Sequence, residues 1–166
     1  MNTLLLGLLL FLGMHSARIF AEQGRHALQA RIGATAFKGL YTVVSLVGFY
    51  LVLKGYGEAR LNPLAVWTPP IGMRHLAVLL MLPAMVLLVA AYIPRNALKN
   101  RLHHPMVLSV KLWALAHLSC NGNLADMVLF GSFLLWAILC FRAARQRDRA
   151  AENELIESPG PLRQRT

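Results

Sequence analysis

The chain has 166 residues, of which 57% are hydrophobic and 14% charged, and its mean hydropathy is +0.51. Water-soluble domains of this length are more polar, so the composition excludes an ordinary soluble globule and points to the membrane. The formal charge of +10 then reads as basic residues gathered on one side of a bilayer, not as a nucleic-acid footprint.

A membrane-crossing helix needs about 20 mostly apolar residues, and five segments approach this: 3–21, 37–56, 75–93, 106–120 and 124–141. The first lacks the basic start and small-residue cleavage site of a secretory leader, so it is expected to be retained. The first connection, EQGRHALQARIGATAFK, carries Arg25, Arg31 and Lys38. The second, GEARLNPLAVWTPPIGMRH, places Pro63, Pro69 and Pro70 around an apolar patch, and reads as a connector along the interface or as a lid over a site between helices. The third, PRNALKNRLHHP, is again basic, with Arg95, Lys99 and Arg101. Asn121-Gly122-Asn123 is a tight-turn signal that makes a hairpin of the last two segments.

With five crossings the first and third connections and the C-terminal FRAARQRDR share one side. The positive-inside rule then puts the N-terminus outside and the C-terminus in the cytoplasm. The expected fold is an all-α integral membrane bundle of about five transmembrane helices, most simply in a bacterial inner membrane. It divides into a membrane domain over 1–142 and a basic cytoplasmic tail over 143–166 that is expected to be disordered. SPGPLRQRT at the end has no core-forming pattern and is expected to be disordered. Cys120 and Cys140 fall at opposite faces in this topology, too far apart for a disulfide.

Ionisable groups within apolar segments are costly, about 2.5–3.5 kcal/mol for Lys or Arg at the bilayer centre, and are therefore the first functional candidates. Arg18 and Lys54 lie near segment ends, where they snorkel. His15, Arg18 and Glu22 share one helix face. In the fourth segment Lys111 and His117 project in different directions, with Trp113 one turn before His117. An imidazole here has three readings: a hydrogen bond between helices, a proton path with Lys111 and Asp126, or axial ligation of haem iron. The absence of CxxCH excludes covalent haem attachment, and there is no Walker loop, dinucleotide fingerprint or HExxH.

GMHSARIFA, GLYTVVSLVGFYLVLKGYGEAR and HPMVLSVKLWALAHLSCNGNLADMVLFGSFLLWAIL resemble the NnrU family, from residue 1 to about 142. The resemblance implies an integral membrane protein associated with denitrification and nitrogen-oxide metabolism. The plant branch of the family is similar to 15-cis-zeta-carotene isomerase, a haem-b membrane protein whose iron is held by histidines. It therefore implies haem b, with isomerase-like or redox activity. It makes His15 and His117 the metal-ligand candidates, His104 of the HP pair the alternate, and Lys111 a partner for a haem propionate. An apolar polyene or proteins of a nitrogen-oxide pathway would be the partners besides lipid. At 1.5 Å per residue His15 lies about 20 Å, and His117 about 6 Å, from the outer ends of their segments. Two ligands of one iron need nearly equal depth. His104 lies near the cytoplasmic surface, and His75 is closer in depth to His117. The residues leave a second function open, a haem-free accessory or transport-like membrane protein in which His117, Lys111 and Asp126 hold helices together or relay protons.

Overall fold

A computed structural model describes residues 1–157, without the side chains of Arg18 and of 155–157. The expected disorder of SPGPLRQRT and the Arg18 member of the His15 face lie outside the described residues. Among the described residues seven helices follow in chain order: α1 (Asn2–Phe20), α2 (Glu22–Ile32), α3 (Ala34–Leu61), α4 (Ile71–Tyr92), α5 (Ala97–Leu102), α6 (Pro105–Cys120) and α7 (Leu124–Glu157). Among the described residues the one β-type pairing is an isolated bridge between Ala65 and Asn123. By length and composition α3, α4 and α7 suffice to cross a membrane, and α1 with α2 forms a fourth candidate bent by 87°. α6 is apolar but has only 16 residues.

The five apolar segments are all helical, but two stretches expected as loops are helical too. The first connection folds as α2 because EQGRHALQARI has few helix breakers, and it stops at Gly33, whose φ of 84° closes the helix. α5 begins where the Asn96 side chain accepts a hydrogen bond from the Lys99 amide at 2.8 Å. The tail expected to be disordered from 143 is instead helical as far as Glu157: α7 passes Phe141 without a break, since ARQRDRAAENEL is rich in strong helix formers.

The long helices stand in a row, α3–α1–α7–α6–α4, in which α3 and α4 form the two edges and do not touch each other. Apolar side chains cover the outer faces: Leu9 is 71% exposed, and Val78, Leu79 and Leu82 on α4 are exposed as well. In water such a surface would aggregate; in hydrocarbon it is the expected coat. The buried core is small and lies between α1, α3 and α7, around Leu4, Leu8, Val52, Ala125, Leu129 and Phe130.

Small residues set the spacing. A Cβ on Gly7 would run into the backbone of Leu51 and Val52, and one on Gly55 into the backbone of Leu4. α1 and α3 therefore touch backbone to backbone, the usual way helices associate where lipid removes the hydrophobic driving force. α4 meets α6 in the same manner through Ala77, Ala84, Ala114 and Ala116, all buried.

The second connection is not free. Leu124 donates its amide to the Leu64 carbonyl at 2.8 Å, and the Val66 and Trp67 amides both donate to the Gly122 carbonyl, at 2.8 and 3.2 Å. This pairing clamps the α3–α4 loop onto the α6–α7 turn. Gly122 is needed there, because a Cβ would collide with the Trp67 carbonyl.

Gly55→Ala is expected to lower the thermal midpoint in detergent, at a cost on the order of 1–3 kcal/mol from overpacking. Gly57→Ala, whose Cβ would meet nothing within 4 Å, is expected to be neutral or to gain about 0.5–1 kcal/mol. Equal midpoints for the two variants would refute the close approach.

Candidate functional site

His15, His117 with Asp126, and Lys111 with His104 fall at three separate stations, while Lys54 pairs with Glu58 on α3. The first surrounds His15, in the last two turns of α1. Its Nδ1 lies 2.7 Å from the Phe11 carbonyl one turn earlier, which leaves Nε2 as the ring's remaining ligating atom. The ring is 4.4 Å from Phe11, 5.4 Å from Tyr41 of α3 and 6.2 Å from Trp136 of α7, centroid to centroid. The bend between α1 and α2 opens a groove of about 420 Å³ here. His15, Tyr41 and Thr42 line it, with Arg25 of α2 and Lys38 of α3 supplying positive charge. Among the described residues, the buried donors without partners include Arg25 Nε on the groove wall and Trp136 Nε1 beside His15. Orphaned buried donors are uncommon in native proteins and ask for an acceptor.

The second station is the far end of the α6–α7 hairpin. His117 stacks on Phe130 with centroids 4.3 Å apart and planes within 5°, and Trp113 meets both rings edge-on. The Asn121 amide donates to the His117 carbonyl at 2.8 Å and lies 3.5 Å from Nδ1. Below the turn sits Asp126, only 3% exposed. It accepts from the Tyr56 hydroxyl at 2.5 Å and from the Asn123 amide at 3.0 Å. A buried carboxylate without such donors would be very costly, and Tyr56 is what ties α3 to α7 at this level.

The third station gathers around Phe141. Lys111 places Nζ 3.9 Å from the centre of that ring, a cation–π contact in place of an acidic partner. His104, at the N-cap of α6, meets Phe141 edge-on and lies 2.8 Å from Asp148 through Nε2, with Arg145 3.7 Å from the same carboxylate oxygen. His103 before it has a φ of 61°, a strained conformation for a residue with a Cβ.

His15 and His117 are not brought together. Both stations touch α7, at Trp136 and Phe130 respectively. These lie six residues apart, about 9 Å along the axis. Phe11, Phe133 and Trp113 fill the space between them as a string of rings with centroid separations of 6.0 and 5.5 Å. The arrangement does not fit one iron held by both imidazoles. His15 stands apart at its own groove, with Arg25 and Lys38 on the wall. His104 is occupied by Asp148 and lies at neither station. Among the described residues no three His, Cys, Asp or Glu side chains form a metal-binding group. Cys120 and Cys140 form no disulfide.

Three contributors were not legible as site residues. Tyr56 finds Asp126 across 70 positions of sequence. Arg25 and Lys38 read only as topogenic charges until the bend after α1 folds them back toward His15.

Residues 3–160 match the family model described as NnrU protein. No curated protein and no solved structure matches the chain.

The Asp148 carboxyl is held below its ordinary value, chiefly by the hydrogen bond with His104, with the charges of His104, His103 and Arg145 acting in the same direction. A carboxyl whose folded value lies below its unfolded one contributes fully above the ordinary value of 3.8 and loses that contribution as pH falls through the lowered one. A spin-label pair on Arg101 and Arg149 in nanodiscs should therefore give one narrow distance from neutral pH down to about pH 5 and broaden only below the carboxylate range. In Asp148→Asn the distribution should be broad already at neutral pH; an unchanged narrow distribution would disprove the clasp.

Proposed function

Because the chain belongs to the NnrU family, we propose that it is a multi-pass haem-b membrane protein of nitrogen-oxide metabolism, in which His15 is the residue of this chain that would hold the iron. The observation that supports this reading is the groove at the α1–α2 bend. It combines a histidine whose Nδ1 is fixed by a backbone carbonyl, two basic side chains and an unpartnered buried guanidinium nitrogen. In this reading the topology is the five-crossing one, N-terminus outside and C-terminus cytoplasmic, in a bacterial inner membrane.

When bound, haem b supplies a redox-active iron with a coordination position to spare, suited to a small nitrogen oxide or to the double bond of an apolar polyene. The chain's own residues do the rest. The Phe11 carbonyl holds the His15 ring in the tautomer that presents Nε2. In this reading Arg25 and Lys38 would neutralise the propionates, in place of Lys111. Phe11, Tyr41 and Trp136 pack around the imidazole and fix its orientation. His117, stacked on Phe130, serves as packing in the hairpin.

A second reading is favoured by the Tyr56–Asp126–Asn123 network. There the protein is a haem-free accessory, and its buried polar groups hold helices in register.

The deciding measurement is an optical spectrum of the detergent-purified protein from haem-replete cells, oxidised and dithionite-reduced, with a pyridine haemochrome assay. A near-stoichiometric b-type spectrum is expected in wild type. His15→Ala should lose most of the Soret absorbance, and His117→Ala should keep it. A colourless wild-type protein, or loss confined to His117→Ala, would overturn the assignment.

A further inference from the structure

We infer that the groove between α4 and α6 is a binding site for an anionic phospholipid, with the headgroup phosphate on Arg74 and one acyl chain lying along the two helices. This inference is independent of the haem reading and concerns the opposite edge of the row.

The groove encloses about 270 Å³. On α4 it is lined at positions 74, 77, 78 and 81, the i, i+3, i+4, i+7 spacing of one helix face. It therefore runs lengthwise for about 10 Å. Its floor is low because Ala77 and Ala116 are small and lie where the two backbones approach, 8% and 1% exposed. Its outer wall is missing because α4 is the edge of the row and packs only on α5 and α6. Val78, on the rim, is 68% exposed. The slot thus opens sideways onto hydrocarbon, so a hydrated solute has no route into it, whereas an acyl chain enters directly.

Formal charge is confined to Arg74 at one end, and His117 and Cys120 are the polar groups on the α6 wall. Arg74 lies in the first turn of α4, a turn with no acidic residue. It makes no ion pair among the described residues. Glu58 is engaged by Thr3 and Lys54, Asp126 by Tyr56 and Asn123, and Asp148 by His104 and Arg145. An unpaired guanidinium at the head of an apolar slot complements an amphiphile with an acidic head and an apolar length. The membrane component with that shape is an anionic phospholipid, and a guanidinium binds phosphate oxygens in a two-pronged fashion.

The test is native mass spectrometry of the delipidated full-length protein in detergent, titrated with phosphatidylglycerol or phosphatidylethanolamine. One phosphatidylglycerol should remain bound per chain, in preference to phosphatidylethanolamine. Arg74→Gln should weaken it about tenfold and erase the headgroup preference. Arg60→Gln, which alters a cation placed over the Tyr56 ring, should change nothing. Val78→Trp, at an exposed position where folding is not at risk, should block both lipids by filling the slot. Equal retention of the two lipids by wild type, or equal effects of Arg74→Gln and Arg60→Gln, would overturn the site. So would displacement of the bound lipid by millimolar inorganic phosphate, since the slot would then recognise a free anion and not an amphiphile.

Discussion

The fold depends on how closely two helix backbones can approach in a solvent that gives them no hydrophobic reason to do so. Lipid is as apolar as leucine, so association in the membrane must come from packing and from hydrogen bonds. Gly7 and Gly55 let α1 lie against α3 with no side chain between them, and alanines do the same for α4 and α6. From these two tight pairs everything else follows. α7 joins them in the middle, the row stays open, and His15 is held between three helices instead of facing lipid.

Because the array is a row, its polar groups cannot converge on one central cavity. They collect wherever three elements happen to meet. The α1–α2 bend makes one such place around His15, the hairpin turn a second around His117 and Asp126, and the start of α6 a third around Phe141. Aromatic rings fill the distance between the first two. The clamp between the α3–α4 loop and Gly122 then ties the outer edges of the row to its middle through backbone hydrogen bonds. Side-chain identity matters little to such bonds, and the absence of a side chain at Gly122 matters a great deal.

Much of this was legible in the sequence. Length and hydropathy located all five long helices, because a span of apolar residues has few alternatives in a bilayer. The NGN turn and the family resemblance were legible for the same local reason, and the matched region extends well past residue 142, into the end of α7. Hydropathy alone could not reveal α2, whose residues are polar and yet good helix formers. Nor could it show that α7 continues beyond Phe141, since a helix does not stop where its environment changes. The site was less legible. His15, Lys111, His104 and His117 stood out because charge in an apolar run is expensive, but expense does not say which groups meet. Depth arithmetic along single helices had already set His15 and His117 apart. The common reference of α7 reduces that offset without removing it. Tyr56 and the return of Arg25 toward His15 depend on long-range packing and on a bend, neither of which leaves a periodic trace.

The length of α7 has a mechanical consequence. Its 34 residues span about 51 Å as one rigid rod, against a hydrocarbon thickness of about 30 Å. Standing along the bilayer normal, some 20 Å of helix would clear the hydrocarbon, and Arg145, Arg147 and Arg149 would ride on that part. A rod of this kind would act as a lever, with the rings packed on Phe133 as its fulcrum. Small rocking of the buried arm, from lateral pressure or a change in bilayer thickness, is magnified at the free arm. There the clasp between His104 and Asp148 limits its travel.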